Sequence, residues 1–245
     1  MREYQDEAPV GGKGIEKQQT EEKLFGERKI APEVKNILEK EPVILELLKE
    51  MREYDWVTFD HLMKVGELSV AISKELELSS SESDLLLGSA LVHDIGKLKI
   101  SKEILQKKGK YSDEERVVMQ SHADIGAEML RDLGEYQKAE MTQRHHEQKR
   151  SRRYQVNGRK NVPMLKEKKG KHASRRDDSG LEKLARLLSV IDIFESTGNR
   201  NRPNNRNGEL LAKRSEELEY FDSDFELEVI GLLQKWETER AIDKI

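Results

Sequence analysis

Six histidines stand at positions 61, 93, 122, 145, 146 and 172 of a 245-residue chain that has no cysteine. The first five fall on, or at the ends of, stretches with helical periodicity. His93 is followed directly by Asp94 and then by Ile95, Gly96 and Lys97. His122 lies on the apolar stripe of its stretch, between Val118 and Ile125, and Asp192 follows Leu188 by one helical turn. A carboxylate on an apolar stripe carries a desolvation cost unless it binds something. Imidazole and carboxylate are good ligands for divalent transition metals. Side chains converging from several helices can hold two ions in a bundle core, where they clamp a phosphate and lower the pKa of a water. Each residue also has a plainer reading. His122 alone could be a hydrogen-bonded core histidine. His145 and His146 alone could be a surface pair, and Asp192 alone could cap a helix or pair with Arg186 or Lys183. The joint pattern favours the metal cluster.

The elements that would position these groups all read as helical. Residues 32–53 show Val34, Ile37 and Leu38, then Ile44, Leu45, Leu47 and Leu48, with Pro42 marking a break. From about 57 to 78, Leu62, Val65, Ile72 and Leu76 form one stripe. Ser79–Ser81 offer an N-cap to a buried helix through Leu85, Leu86 and Val92, which is expected to end near Gly96 as a C-cap. Ser112 and Glu115 form a capping-box pattern opening one helix to about 131. Further helices are expected over 135–147, over 181–196 with Leu184, Leu188 and Ile191 facing inward, and over 209–240 with a break near Asp222–Asp224. The fold class is therefore all-α, a helical bundle with a metal site in its core. The expected organisation is a flexible arm over 1–30, a short helical segment over 31–55, and a main domain over 56–240 with a basic loop insertion at about 148–180.

Composition narrows the function classes. Without cysteine there is no disulfide scaffold, thiol nucleophile, cysteine zinc site or iron–sulfur cluster. The net charge of −4 gives no global bias toward nucleic acid or membrane. The most apolar stretch, Leu85 to Val92, is far below the ~20 residues of a membrane span. The N-terminus has no apolar h-region, so no secretory signal and a cytoplasmic location are expected. One stretch departs from the average. Between Gln148 and Gly180 twelve basic residues face three acidic ones, a net +9 against −13 for the rest. It is polar and aperiodic, and reads as an exposed loop suited to phosphate-rich ligands or simply to solvent.

Taken in order, these residues resemble a known family. Val92–His93–Asp94–Ile95–Gly96–Lys97 resembles the HDIGK segment of the HD phosphohydrolase superfamily. Ile104 to Lys107, Gly109 to Ser112, Glu115, Met119 and His122 are similar to the run that follows it in HD-GYP domains. His145–His146–Glu147 matches their HHE motif, and Arg186 to Phe194 resembles their helix bearing the last aspartate. Arg202–Pro203 and Phe221–Asp222 resemble two later segments. The likeness covers roughly residues 54–235.

The resemblance implies that His61, His93, Asp94, His122, His145, His146 and Asp192 are metal ligands, with Asp94 bridging two divalent ions, iron or manganese. It implies that Lys97 helps hold a substrate phosphate, that a bridging hydroxide attacks phosphorus in line, and that Arg202 and Arg206 contact substrate phosphates. Where some members carry a third-metal glutamate, this chain has Val57, which favours two metals. The implied activity is hydrolysis of cyclic di-GMP to linear pGpG or GMP, and the implied partner is a GGDEF-type signalling protein. The chain departs from the family at Arg153–Tyr154–Gln155, where Gly-Tyr-Pro is usual, and after Pro163, where extra basic residues follow. Losing the glycine and the proline changes the backbone freedom of that loop. Two alternatives therefore stand beside the first reading. One is a phosphohydrolase for another nucleotide or RNA, contacted through the basic loop; the other is a non-catalytic signalling module.

Overall fold

The structure, a computed structural model, describes residues 24–26, 28–146, 179–198 and 224–242. Arg202, Arg206, His172, Arg153–Tyr154–Gln155 and the basic stretch to Asp178 lie outside the described residues, as do residues 1–23. All regular elements among the described residues are helical. In chain order they are α1 (Pro32–Lys40), α2 (Pro42–Tyr54), α3 (Trp56–Glu75), α4 (Ser80–Val92), a 3₁₀ helix (Ile95–Lys99), α5 (Lys102–Leu105), α6 (Asp113–Gln120), α7 (His122–Asp132), α8 (Tyr136–Arg144), α9 (Ser179–Gly198) and α10 (Asp224–Ile242). None is long and apolar enough to cross a membrane.

Local signals explain most of the helix starts. Pro32 and Pro42 open α1 and α2, where a missing N–H costs nothing. The Asp55 carboxylate accepts from the Thr58 N–H at 2.9 Å and caps α3. Ser79 with Glu82, and Ser112 with Glu115, form reciprocal capping boxes at α4 and α6. α7 ends in a Schellman turn. The Gly134 and Glu135 N–H groups donate back to Arg131 and Leu130, and Gly134 takes φ +82°, which glycine adopts without a Cβ penalty. This turn aims α8 back across α7.

Two apolar clusters flank the central helices. Val34, Ile37, Leu48 and Met51 of α1 and α2 pack with Phe59, Leu62, Leu91 and Ile95. Val65, Leu68, Ile72, Leu86 and Ala90 pack with Leu188, Ile191, Val229 and Leu233 of α9 and α10. α3 and α4 contribute to both clusters, so they are apolar around most of their circumference. Each fully buried side chain of this kind, such as Phe59, contributes about 1.5–3 kcal/mol. α9 and α10 are joined further by Arg186, whose guanidinium donates to the buried Glu226 carboxylate at 2.9 and 3.1 Å. Arg186 is thus engaged away from Asp192, and the Lys183 ammonium lies over the Phe225 ring.

Four features differ from the sequence expectation. Leu24 and Phe25, in the segment read as an arm, are buried in the first cluster, and Arg28 pairs with Asp60 and Glu67 on α3. The helix expected from Ser112 to about 131 is divided at Ser121. There the Ser121 hydroxyl donates to the Val118 carbonyl and His122 Nδ1 to the Met119 carbonyl, taking acceptors that a continuous helix would use. α6 contributes no buried residue, and Val118 is exposed, so the buried stripe begins at His122 rather than before it. Gly96 is not a left-handed cap. α4 stops at Val92, and Gly96 lies inside the 3₁₀ helix against the backbone of α7.

Candidate metal centre

The seven side chains singled out in the sequence come together where α4 ends between the two apolar clusters. His61 projects from the second turn of α3, and His93 and Asp94 form the step from α4 into the 3₁₀ helix. His122 opens α7, His145 and His146 close α8, and Asp192 sits in α9. Of the seven, all except His146 are buried, and His146 is half-buried.

The two carboxylate oxygens of Asp94 face different histidines. Oδ2 lies 3.6 Å from His61 Nε2 and 3.7 Å from His93 Nε2. Oδ1 lies 3.1 Å from His122 Nε2 and 4.0 Å from His145 Nε2. Asp192 Oδ1 stands on the first side, 3.0 Å from His61 Nε2 and 3.8 Å from His93 Nε2. His146 stands on the second, with its ring 3.8 Å from that of His145 and 5.1 Å from that of His122. Within each of the sets His61–His93–Asp94 and His122–His145–His146, candidate ligand atoms all lie within 4.8 Å of one another.

The outer nitrogens determine what these rings present inward. Nδ1 of His93, His122 and His145 donates to the carbonyl three residues earlier, of Ala90, Met119 and Thr142, at 2.9, 2.6 and 2.5 Å. A carbonyl can only accept, so the proton of each neutral ring is at Nδ1 and the Nε2 lone pair points inward. His61 Nδ1 donates instead to Glu195 Oε2 at 2.5 Å. Inside, lone pair meets lone pair. His61 and His93 Nε2 are 3.3 Å apart, and His122 and His145 Nε2 are 3.4 Å apart. Such a set of acceptors repels itself unless positive charge, as protons or metal ions, lies among them. The donor set thus fits divalent cations.

The electrostatics agree with this. Burial, and then the neighbouring His93 and His122 rings, push the His145 imidazole down to about 3, so it stays neutral. Burial also works against the Asp94 charge, yet the Lys97 ammonium beside it holds its carboxyl well below the usual range. Asp192 is likewise held low against burial, its charge facing the His61 and His93 rings, whose inner edges must then carry a proton or a cation. Lys97 lies on the 3₁₀ helix and its ammonium pairs with Asp94 Oδ2, with 15% of its side chain exposed.

Glu195 was not identified from the sequence. A glutamate one turn after Asp192 resembles any solvated helix residue. The available signal was its place beside Phe194 and Thr197 on a helix whose last turns are buried. The three anchoring carbonyls carry no side-chain signal at all.

Comparison with known proteins shows the family. The HD domain profile matches residues 58–197. A 3'3'-cGAMP-specific phosphodiesterase 1 of Vibrio cholerae is 44% identical over 66 residues, 27% of this chain and 15% of that protein. A cyclic di-GMP phosphodiesterase of Thermotoga maritima is 38% identical over 88 residues, 36% of this chain and 24% of that protein. The cyclic di-GMP phosphodiesterase response regulator RpfG of Xanthomonas campestris is 30% identical over 105 residues, 42% of this chain and 28% of that protein. The chain therefore spans less than a third of the length of these relatives. The profile match takes in more than half of this chain, from the start of α3 to the end of α9, and on that ground the chain belongs to the HD domain family.

Proposed function

We propose that this protein is a metal-dependent phosphodiesterase of the HD-GYP type that hydrolyses a cyclic dinucleotide, cyclic di-GMP foremost. The observation that carries the reading is the division of the Asp94 carboxylate between two sets of inward-facing Nε2 atoms, which suits a pair of ions bridged by one aspartate. His61, His93 and Asp192 would hold one ion, and His122, His145 and His146 the other, with Asp94 between them. Divalent ions such as iron or manganese, when bound there, supply charge neutralisation for a phosphate ester and a lowered pKa for a water.

The chain's own groups do the rest. The fixed Nδ1–H bonds hold four rings in one orientation, so little reorganisation accompanies the reaction. The Lys97 ammonium, partly exposed beside Asp94, neutralises charge on a phosphate oxygen. Hydrolysis adds water across one phosphodiester bond: an oxygen–phosphorus bond forms, the P–O3′ bond breaks, and the leaving O3′ takes a proton. The related phosphodiesterases named for cyclic di-GMP and 3'3'-cGAMP support a cyclic dinucleotide as the substrate class. Arg202 and Arg206 are assigned to its phosphates by the resemblance alone.

The test is hydrolysis of cyclic di-GMP and 3'3'-cGAMP by anaerobically purified protein loaded with Fe²⁺ or Mn²⁺, with Asp94→Ala as the control. Turnover lost in the control supports the reading. Metal uptake without turnover of either dinucleotide overturns the substrate. A second reading, an RNA or other nucleotide substrate, is favoured by the net +9 stretch between Gln148 and Gly180. It requires RNA binding that weakens steeply with salt and is lost when residues 149–176 are deleted.

A further inference from the structure

α9 sets a carboxylate beside each nitrogen of the His61 ring. Asp192 Oδ1 lies 3.0 Å from Nε2 on the inner edge. Glu195 Oε2 lies 2.5 Å from Nδ1 on the outer edge. The two carboxylates are three residues apart, one helical turn, so they rise from the same face of α9. Both are buried. The other three anchored rings have a different support. His93, His122 and His145 each back onto a carbonyl of their own helical turn. Among these four rings, His61 alone is held from behind by a carboxylate, and that carboxylate comes from another helix.

Charge behind Glu195 completes the arrangement. The Lys64 ammonium, one turn after His61 on α3, lies 3.9 Å from Glu195 Oε1 and 2.7 Å from Asp60 Oδ2. Asp60 in turn pairs with Arg28 at 2.9 Å. Opposite charges thus alternate outward from the ring. A carboxylate accepting from Nδ1 draws the proton toward itself, so the ring carries more electron density at Nε2. It becomes a stronger ligand than a ring backed by a carbonyl, and it is fixed in orientation.

We propose that Glu195 is a positioning residue that strengthens His61 as a ligand, and so sets the metal affinity of the His61–His93–Asp192 half of the centre selectively. This rests on reading the cluster as a metal centre. It adds an asymmetry to that reading, because one half is tuned through α9 and the other leans on backbone carbonyls.

The experiment is titration of metal-stripped protein with Mn²⁺, free ion being followed by electron paramagnetic resonance, for wild type and Glu195→Gln. Glutamine keeps the shape and an acceptor oxygen but not the charge. The expected result is a roughly ten- to hundredfold loss of affinity in one class of site, with the other class and the unfolding temperature of the metal-free protein unchanged. The His61 Nδ1 proton resonance of the metal-free protein should also move upfield in the variant, because its short bond to a carboxylate is lost. Identical isotherms for the two proteins overturn the proposal. So does an equal weakening of both classes with a lowered unfolding temperature, which would make Glu195 merely structural. Wild-type protein that takes up no Mn²⁺ overturns the metal-centre reading itself and this inference with it.

Discussion

Gly96 supports the backbone of His122 directly. A β-carbon at position 96 would lie 2.0 Å from the His122 carbonyl oxygen and 2.6 Å from the Gly126 nitrogen. Both are backbone atoms, so no side-chain rotation relieves the clash. The 3₁₀ helix that carries Lys97 is thereby pressed against the first turn of α7, and His122 reaches Asp94 across that contact.

Gly96→Ala must therefore push α7 away and take His122 with it. The expected cost is at or above the upper end of the ~1–3 kcal/mol typical of overpacking. Metal should be lost first from the half that contains His122. Gly126→Ala is the milder comparison, since its β-carbon would meet the Gly96 nitrogen at 3.0 Å and the Thr142 methyl at 3.2 Å. Thermal unfolding and metal content of the two variants measure the difference. A Gly96→Ala protein with wild-type stability and metal content would show that the contact does not matter.

Lys138 is the second position where stability should concentrate. It is buried on α8, and its ammonium pairs with Glu41 at 2.6 Å and Glu135 at 2.7 Å. Burial opposes its charge, but the two carboxylates prevail and raise its pKa above the ordinary lysine value of 10.5. Lys138→Met leaves both carboxylates without this cation and should cost about 1–3 kcal/mol. Lys40→Met, which removes an exposed pair with Asp84, should cost less than about 1 kcal/mol. The Lys138 contribution is complete below pH 10.5 and fades as pH rises through its elevated value. Urea unfolding of both variants at neutral pH, and of wild type at high pH, tests the ranking. Equal losses for the two lysines would refute it.

The candidate ligands were legible in the sequence as a joint pattern, since each histidine or aspartate alone has a plainer reading and the ordered resemblance to HD-GYP domains singled out the set. His61, His93, His122 and Asp192 each sit where a hydrophobic residue would otherwise pack. The capping boxes at Ser79 and Ser112 were legible because their chemistry is local. What escaped notice depends on contacts between distant segments. Glu195 matters only because His61 of another helix lies against it. Gly96 looked like a helix cap, but its lack of a side chain serves a backbone crossing at His122. Leu24 and Phe25 are two apolar residues in a polar stretch, too few to set a period, and only the cluster they join reveals their role. The division at Ser121 arises from two side chains competing for helix carbonyls, which periodicity does not register.

Acid should destabilise the metal-free protein in two stages. His145 has its pKa lowered from 6.5 to about 3. The unfolded chain therefore takes up a proton below pH 6.5 that the folded chain refuses. Stability is intact above pH 6.5 and falls toward pH 3, by up to about 1.4 kcal/mol per pH unit for one proton. Asp94 and Asp192 are held below 3.8, so their contribution is present above that pH and is lost only below it. His145→Asn keeps a donor for the Thr142 carbonyl and has no titrating group. Its stability, followed by urea unfolding in chelator from pH 7.5 to 4.5, should change less with pH than that of wild type. Equal slopes would remove His145 from the account.

Lys97 poses the sharpest question about the chemistry, because one ammonium has two candidate duties. It pairs with Asp94 Oδ2, and it is partly exposed where a phosphate would arrive. If its duty is to the phosphate, Lys97→Met should keep its metal, because bound cations take over the neutralisation of Asp94. Hydrolysis should then fall on the order of a hundredfold, the cost of removing one donor aimed at developing charge. Lys97→Arg should recover only part of this, since a planar guanidinium on a longer arm cannot reproduce a compact ammonium close to Asp94. If its duty is instead to hold Asp94 in place, Lys97→Met should lose metal and activity together. Metal content measured on the same samples as the rates separates the two cases. Retained metal with depressed turnover is the outcome expected here, because Asp94 and the six other candidate ligands supply enough donors to fix a cation without help from Lys97.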